Sequence, residues 1–377
     1  MTHELKLVNL NEMTIPKRVP DLVHAIQRLP MLSKLFEIKT TRADCFGTPE
    51  LLDKYGSPIA NQQQITSVRN RLTQELCLFN SRRSAKPQQF VRAAEEPGAS
   101  AKPRCDFCSP TYDTLTATDT FGRIEGRSTI TASNLFKYCG PFQAVAFSKH
   151  KHDLYDFDLD ELCDYLEVSA RWFRAAVAEY EKQSVANDGA SLNPMLLWNG
   201  GERSGASQKH QHLQLLLSSA AFPQHAILKQ LTAAYDGDYY SDLVEAHREV
   251  GLTHTSPSAS AAIFVSLLPL KNREMVVVGD RGIEDPAFQR LVHAGLRTMI
   301  DELGTSSFNL GILPGKHGTA DMTAGRVIAR LASRGQVGQT SVASDYGGLE
   351  VFAGASIGHD DPFSVKEYLD RQLQLYA

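Results

Sequence analysis

The 377-residue sequence lacks several features that would place it in a specialised class of protein. No apolar run approaches the ~18 residues that a membrane span needs, so we expect no membrane segment. The first residues, Met1 to Lys6, lack the apolar core of a secretory signal, and we therefore expect a cytoplasmic protein. No internal repeat of solenoid length is present, which argues against a repeat architecture.

Cysteine and excess charge are also scarce. The six cysteines are too few for a disulfide framework in a chain of this length, which suits a reducing compartment. The formal net charge of −4 gives no global field that would attract nucleic acid or anionic lipid. Local groups must therefore hold any anionic ligand. Hydrophobic residues at 42% and charged residues at 22% indicate a globular protein rather than a disordered or fibrous one.

The hydrophobic pattern divides the chain into three parts. Residues 1–80 are predicted to be mainly helical, from the apolar spacing over 21–29 and the mixed polar and apolar run from Gln62 to Leu78. Residues 81–220 and 221–377 are predicted to be two related halves. The first half has the predicted strands 114–131, 142–148 and 195–198, with a helix from Asp158 to about Lys182. The second has predicted strands over 262–268, 274–278 and 308–313, with a helix over 285–303.

The segment from Ser204 to Leu217 carries the strongest functional signal. In an extended strand, successive side chains point to opposite faces, so His210, His212 and Gln214 would share one face and the leucines between and after them the other. A glycine-containing turn precedes this strand. No counterpart of the His-x-His pair occurs in the second half, which is expected to lack the site.

An imidazole at this position is suited to phosphate chemistry. With an ordinary pKa of about 6.5 it is largely neutral at pH 7, so it can attack phosphorus without a separate base. We predict that His212 attacks the α-phosphorus of a nucleotide, provided that a backbone carbonyl or other acceptor fixes its second ring N–H. Backbone N–H groups at Gly200 and Gly205, the hydroxyl of Ser207 and the amide of Gln214 would then stabilise the charge on the phosphate.

The residues from Asn199 to Gln214 closely resemble the signature of the transferase branch of the histidine-triad superfamily. That branch includes galactose-1-phosphate uridylyltransferase and diadenosine tetraphosphate phosphorylase. The resemblance implies that His212 is the covalent nucleophile and that Gln214 replaces the third histidine of the triad. It also implies that Asn199 and Ser207 contact phosphate. The residues that flank the His-x-His pair look most like those of the tetraphosphate phosphorylases.

Three further segments are similar to parts of the same family. Asn80 to Pro87 resembles the Arg-x-x-Arg-Pro segment of the uridylyltransferases, which would make Arg83 a phosphate or ribose contact. Asn134 to Phe136 resembles the segment that touches the nucleoside, so Asn134 is included in the predicted nucleotide site. Gly348 to Gly354 resembles the last strand before the C-terminal helix of the family. The first 80 residues show no such resemblance.

Cys105 and Cys108 have a spacing that is common in zinc sites, which need four nitrogen or sulfur ligands. The resemblance to the uridylyltransferases implies that His210 and one histidine after the 142–148 strand complete the set. His150 and His152 are both candidates, and the residues that follow favour His152. With four protein ligands the zinc would be structural. The alternative is that the cysteines are packed or exposed without a metal.

The resemblance implies an α+β fold made of two histidine-triad-like halves, each an antiparallel sheet with packed helices. It also implies two-step nucleotidyl transfer, with phosphorolysis of diadenosine tetraphosphate to ADP and ATP as the leading prediction. A hexose-1-phosphate uridylyltransferase or nucleotide-sugar phosphorylase is the alternative within this chemistry, and a non-catalytic nucleotide-binding protein is the alternative outside it. The expected partners are a nucleotide and a phosphate or sugar-phosphate acceptor, without nucleic acid or membrane. A need for Mg²⁺ and the choice between monomer and homodimer stay open.

Overall fold

The computed structural model describes residues 16–43, 49, 63–80, 105–183, 192–206, 208–314, 325–334 and 348–376. Over these residues the chain forms nine α-helices and thirteen β-strands. None of the helices in these ranges combines the length and the apolar character needed to cross a bilayer.

The strands, numbered β1 to β13 in chain order, are Phe36–Ala43, Gln63–Asn70, Leu76–Phe79, Thr129–Ser133, Phe142–Ser148, Asn193–Gly200, His212–Ser218, Thr253–Thr255, Ala261–Val265, Met275–Gly279, Phe308–Pro314, Val327–Ser333 and Ala355–Gly358. The helices α1 to α9 are Leu22–Ala25, Pro30–Leu35, Tyr112–Leu115, Leu159–Gln183, Pro223–Ala233, Tyr239–Glu249, Pro286–Arg297, Gly348–Ala353 and Pro362–Leu373. Short 3-10 turns cover Val19–Asp21, Ile26–Arg28, Glu202–Ser204 and Gln374–Tyr376, and a π-helical turn covers Thr298–Glu302.

The N-terminal segment differs from the mainly helical prediction. Residues 19–35 are largely helical, but the run from Gln62 to Leu78 contains β2 and β3. Buried and partly exposed residues alternate along β2 from Thr66 to Asn70, which is the period of a strand. Its β-branched residues also favour extended backbone over helix. β1, β2, β3 and β13 form a four-stranded sheet in that order, and β13 lies parallel to β3.

The other nine strands form one sheet that contains two similar halves. Its order is β4-β5-β7-β6-β11-β12-β10-β9-β8. In the first half α4 connects β5 to β6, and in the second α7 connects β10 to β11. The predicted α+β fold of two similar halves with antiparallel sheets is confirmed. The halves share one continuous sheet, because the edge strand β6 pairs with β11.

An approximate two-fold relation follows from this pairing. Leu197 on β6 lies opposite Gly311 on β11. On the next strand of each half, Gln214 pairs with Leu197 and Arg330 pairs with Gly311. Arg330 therefore occupies the position in the second half that Gln214 occupies in the first. Two residues earlier on the same strands, Ile328 occupies the position in the second half that His212 occupies in the first.

Each face of the large sheet has a different environment. One face packs against α4 and α7 and carries the largest buried side chains of the core, including Trp198 and Phe308. We call the opposite face the outer face, and it carries His212, Gln214 and Asn199 in the first half. The outer face of the second half is packed against α6 through a small apolar cluster that includes Phe264.

Two local predictions are wrong. The expected strand over 114–131 is limited to β4, and α3 lies at its start. The segment from Gly348 to Gly354, which resembles a last strand, is instead the helix α8, and the strand β13 follows it. By contrast, α4 and β5 agree with the predicted helix and strand. The α7 helix is continued by the π-helical turn over the predicted helical range.

Asp164 on α4 fixes the loop that leads into β4. Its carboxylate accepts hydrogen bonds from the backbone N–H groups of Arg127, Ser128 and Thr129 at 2.8 to 2.9 Å, and from the Ser128 hydroxyl at 2.9 Å. Burial alone would raise the pKa of Asp164, but these donors outweigh that effect and the pKa lies below its ordinary value. The ionised carboxylate therefore stabilises the folded state.

We expect Asp164→Asn to lower the free energy of unfolding at pH 7 by about 2 kcal/mol, because an amide nitrogen would face backbone N–H donors. A depressed pKa contributes stability above the unfolded-state pKa of about 3.9 and loses it as the pH falls through the folded-state value. The difference between variant and wild type should therefore shrink below about pH 4. Urea unfolding at pH 7 and at pH 3.5 measures both effects. Asp160→Asn, on the same helix with an exposed side chain, is the control, and equal stability of both variants at pH 7 would contradict the prediction.

Candidate functional site

The strand β7 presents its side chains as the sequence predicts. Leu213, Leu215 and Leu217 lie in the core, and Gln214 lies half-buried on the outer face. His212 is the first residue of the strand and is buried. His210 precedes the strand and is also buried.

The ring of His212 is held in one tautomer. Its Nδ1 lies 2.8 Å from the backbone oxygen of His210, and a carbonyl oxygen only accepts hydrogen bonds. The proton is therefore on Nδ1, and Nε2 keeps its lone pair. Burial lowers the pKa of His212, so the ring is neutral at pH 7. This is the backbone acceptor that nucleophilic attack by the ring requires.

The glycine turn before β7 depends on two left-handed backbone positions. Gly201 has a φ of +82°, and a Cβ at this residue would lie 2.3 Å from the carbonyl oxygen of Ser306. Gly205 has a φ of +88° and follows the 3-10 turn Glu202–Ser204. Gly200 ends β6 directly before this turn. Two other predicted site residues, Arg83 and Ser207, lie outside the described residues.

Asn199 lies next to His212 on the outer face. β6 and β7 pair Trp198 with Leu213, and the same antiparallel register continued by one residue places Asn199 opposite His212. On its other side Asn199 pairs with Asn309 of β11, whose Nδ2 donates to the Asn199 Oδ1 at 2.8 Å. The site therefore borders the second half of the molecule.

Gln214 has a partner that the sequence does not reveal. The hydroxyl of Tyr138 donates to the Gln214 Oε1 at 2.9 Å, which leaves the amide N–H₂ for another acceptor. Tyr138 comes from the loop between β4 and β5, and its backbone N–H is held by Gln143. The same loop exposes Leu135, Phe136 and Tyr138 by 69%, 85% and 68%. Exposed large apolar side chains beside a polar site are typical of a ligand contact.

Asn134 lies at the start of this loop. The side-chain oxygen of Asn134 accepts a hydrogen bond from the backbone N–H of Phe136 at 2.8 Å. The backbone N–H of Asn134 donates to the backbone carbonyl of Gln143. These two bonds shape the loop. The structure therefore gives the Asn134 side chain a local partner, and the exposed ring of Phe136 projects from the turn that it forms.

Cys105, Cys108, His152 and His210 form one cluster. Their candidate ligand atoms all lie within 4.8 Å of one another. The Nδ1 of His210 is 3.5 Å from the sulfur of Cys105 and 3.6 Å from that of Cys108, and the Nδ1 of His152 is 3.6 Å from Cys108. A tetrahedral ion with bonds of about 2.3 Å to sulfur and about 2.0 Å to nitrogen would hold such atoms about 3.5 Å apart. The cluster therefore has the donors and the spacing to hold a metal ion.

The cluster is tied to β7 by the second nitrogen of His210. Its Nε2 lies 3.0 Å from the carbonyl oxygen of Ser148, so Nε2 carries the proton and Nδ1 carries the lone pair that faces the cysteines. Burial lowers the pKa of His210 to about 4, which keeps the ring neutral at pH 7. Phe107, between the two cysteines, packs on the ring of Phe147 at 4.6 Å and lies 5.5 Å from His212. The Cys-x-x-Cys segment therefore also covers the nucleophile candidate.

A separate cavity of about 520 Å³ lies on the outer face of the second half. Ile328 and Arg330, the counterparts of His212 and Gln214, contribute to its wall. The charge of Arg330 is already met by the buried Glu274, whose carboxylate is 2.5 Å away. At these two positions the wall therefore has an alkyl side chain and an already paired guanidinium, where the first half has His212 and Gln214.

The comparison with protein-family models finds no match, and neither does the comparison with curated protein sequences. Solved structures do match. The ADP-glucose phosphorylase from Arabidopsis thaliana, solved with bound ADP-glucose, has a TM-score of 0.57 at 14% identity, over 81% of this chain and 97% of that one. A GalT-like protein from Arabidopsis thaliana has a TM-score of 0.55 at 15% identity, over 80% of this chain and 97% of that one.

A uridylyltransferase structure is similar to the same degree, with a TM-score of 0.53 at 14% identity over 82% of this chain and 98% of that one. At these identities the likeness concerns the fold. It extends over most of this chain and nearly all of each solved structure. The chain therefore has the α+β fold of these three solved structures.

Proposed function

We propose that this protein is a nucleotidyltransferase that works through a covalent nucleotidyl-His212 intermediate. The observation that carries this proposal is the hydrogen bond from the His212 Nδ1–H to the His210 carbonyl, which leaves a neutral ring with a lone pair on Nε2. Asn199 and Gln214 lie on the same face with their side-chain oxygens already engaged. A nucleophile flanked by two amide donors is suited to attack at phosphorus.

The reaction would proceed in two displacement steps. Nε2 of His212 attacks the α-phosphorus of the donor nucleotide, a bond from nitrogen to phosphorus forms, and the bond from phosphorus to the bridging oxygen breaks. The leaving group departs with that oxygen and its electron pair. In the second step an oxygen of inorganic phosphate or of a sugar phosphate attacks the same phosphorus, and the bond to Nε2 breaks. The ring returns to its neutral state with its Nδ1 proton in place throughout.

Two donors fit this scheme, and the metal cluster favours one of them. Dinucleoside tetraphosphate is the donor suggested by the residues that flank His212, and its leaving group would be ATP. A nucleotide sugar would release a hexose 1-phosphate, and it is the donor of the family members whose Cys-x-x-Cys pair is completed by two histidines. Because Cys105, Cys108, His152 and His210 lie together, we propose a nucleotide sugar as the first candidate. The ADP-glucose bound in one similar structure supports an adenine nucleotide.

We also propose that the cluster holds zinc. Two thiolates and two neutral imidazoles are ligands that Zn²⁺ prefers, and four protein ligands leave no position for a substrate or a reactive water. The ion would thus fix the segment 105–108 against His210, and through the carbonyl of His210 it would fix the ring of His212.

The first test is formation of labelled enzyme with a panel of nucleotides that carry a radioactive α-phosphate. We expect the wild-type protein to become labelled and His212→Ala to lose labelling and turnover by at least about 10³-fold, because the ring supplies the lone pair that forms the bond to phosphorus. His254→Ala, on the edge strand β8 of the second half, is the matched control and should keep full activity. Full turnover by His212→Ala would contradict the mechanism.

The panel also separates the two donors. ADP-glucose and UDP-glucose, with phosphate or galactose 1-phosphate, should yield a hexose 1-phosphate and a new nucleotide. Diadenosine tetraphosphate with phosphate would instead yield ATP and ADP. If the protein turns over the tetraphosphate but neither nucleotide sugar, the nucleotide sugar is rejected as the donor. A protein that binds nucleotides but never becomes labelled would be a non-catalytic nucleotide-binding protein.

Removal of the Tyr138 hydroxyl should slow the first step. In Tyr138→Phe the Gln214 oxygen loses its donor, so the amide can turn and present oxygen rather than N–H₂ to the phosphate. We expect a loss of about tenfold in the rate of labelling, less than the about 10²-fold or more that removal of a direct donor costs. Tyr368→Phe on α9 is the control. Single-turnover labelling rates measure the effect, and an unchanged rate in Tyr138→Phe would show that the hydroxyl does not orient the amide.

Two neighbouring histidines, His150 and His152, should differ in their effect on the zinc content. His152 belongs to the cluster, whereas His150 does not. We expect purified protein to contain about one zinc per chain and His152→Ala to lose most of it, with a lower midpoint of thermal unfolding. His150→Ala should retain the metal and the midpoint. Elemental analysis and calorimetry measure both quantities, and equal zinc content in the two variants would contradict the assignment.

A further inference from the structure

The second half of the molecule reaches the candidate site through β11. Asn309 on β11 lies opposite Asn199 on β6, and Arg334 follows the end of β12. Three side chains form a hydrogen-bonded series across the boundary between the halves. The Arg334 Nη1 is 2.9 Å from the Asn309 Oδ1, and the Asn309 Nδ2 is 2.8 Å from the Asn199 Oδ1.

The direction of every hydrogen bond in this series is fixed by its two ends. A guanidinium group only donates, so Asn309 must present its oxygen to Arg334. A carbonyl only accepts, and the Asn309 Nδ2 lies 3.0 Å from the carbonyl oxygen of Ser204. The Asn309 amide therefore has a single orientation, because the opposite one would place its N–H₂ against the Arg334 guanidinium and its oxygen against the Ser204 carbonyl. The Asn309 N–H₂ also faces Asn199, so Asn199 must accept this hydrogen bond with its side-chain oxygen.

Asn199 consequently has its amide nitrogen directed away from Asn309. Within the described ranges its Nδ2 has no hydrogen-bond partner in the protein, although the side chain is partly buried. The strand register places Asn199 opposite His212 on the outer face. Ser204, whose carbonyl shares the Asn309 donor, belongs to the glycine turn beside the same nucleophile. The N–H₂ group is thus a donor next to the position where phosphorus would be attacked.

We propose that Arg334 and Asn309 are positioning residues that orient the Asn199 amide so that its N–H₂ donates to the phosphate. This inference rests on the proposed nucleotidyl transfer and assigns a task to the half that has no catalytic histidine. Neither residue touches the reacting atoms. An asparagine without such a partner can rotate its amide by half a turn at little cost, and a donor that must reorient during the reaction stabilises the transition state less than one already in place.

The main test is Asn309→Asp, which keeps the shape of the side chain. A carboxylate still accepts from Arg334, but it cannot donate to the Asn199 oxygen, so Asn199 would turn its N–H₂ toward position 309. We expect the single-turnover rate of labelling to fall by about tenfold or more, with a small change in the affinity for the nucleotide. Arg371→Gln, on α9 and paired with Glu302, is the control for loss of a surface cation and should keep the wild-type rate.

The arginine offers a test of polarity. Lysine also only donates, so Arg334→Lys should keep the direction of the series and most of the rate. Glutamate only accepts, so Arg334→Glu should reverse the Asn309 amide and lower the rate about as much as Asn309→Asp. Equal losses in the lysine and glutamate variants, with matched thermal stability, would mean that the side chain acts through packing and would overturn the proposal.

A double-mutant cycle separates action through Asn199 from a direct effect of charge. Asn199→Ala alone should slow labelling. If Arg334 and Asn309 act only through this amide, Asn309→Asp should change the rate of the Asn199→Ala protein by less than about twofold. Additive losses would overturn the positioning role of Arg334 and Asn309 and leave the proposed nucleotidyl transfer intact. If the wild-type protein forms no labelled enzyme with any nucleotide, the proposed function fails, and the positioning role fails with it. A wild-type protein that is labelled but shows additive losses would contradict only the positioning role, so the two failures are distinguishable.

Discussion

His210 holds the candidate site together because its two ring nitrogens and its backbone carbonyl each have a separate partner. Its Nδ1 faces the sulfur atoms of Cys105 and Cys108, its Nε2 donates to the Ser148 carbonyl, and its own carbonyl accepts from His212. The two ring nitrogens could not exchange partners without a change of tautomer, because only the protonated nitrogen can donate to the Ser148 carbonyl. A ring that is fixed at both nitrogens also fixes the peptide that follows it. The orientation of the His212 imidazole therefore depends on a residue whose side chain belongs to the Cys105, Cys108, His152 and His210 cluster.

The two-fold relation between the halves shows how the second half differs at the positions of the candidate site. The positions of His212 and Gln214 are taken in the second half by Ile328 and Arg330, and an alkyl side chain provides no nucleophile. Arg330 is half-buried and pairs with the buried Glu274, and it also approaches Glu75 of the N-terminal segment at 3.4 Å. The two carboxylates neutralise the charge of Arg330, so its guanidinium would attract a phosphate only weakly. On this face the second half is adapted to hold the N-terminal segment, and its contribution to the first half comes from the shared strand pair.

Much of the site could be predicted from the sequence because it is local. The alternation along β7, the glycine turn and the Cys-x-x-Cys spacing each lie within a few residues, and they indicate the face, the turn and two candidate metal ligands. Tyr138, Asn309 and Arg334 could not be found in this way. Each of them meets the site through the pairing of strands far apart in the sequence, and no local spacing encodes that register.

The errors in the fold have a related cause. The N-terminal run over β2 mixes polar and apolar residues, and its period of two becomes decisive only when one side of the strand is buried against a partner. The β13 strand lies parallel to β3, nearly 280 residues earlier, so its place in a sheet depends on the segment that the family resemblance does not cover. Long helices such as α4 carry their own amphipathic pattern and were accordingly predicted with bounds close to those observed.

The two amides beside His212 are oriented by the same physical rule. Gln214 and Asn199 each give their oxygen to a donor, the hydroxyl of Tyr138 in one case and the Asn309 amide in the other. Each is therefore left with two N–H groups on the outer face, where a phosphate would need donors. Tyr138 can rotate its hydroxyl, whereas the Asn309 amide is fixed by Arg334, which has no acceptor atom to offer. The orientation of Asn199 is for that reason the more firmly determined of the two, and it is determined by residues from the second half of the molecule.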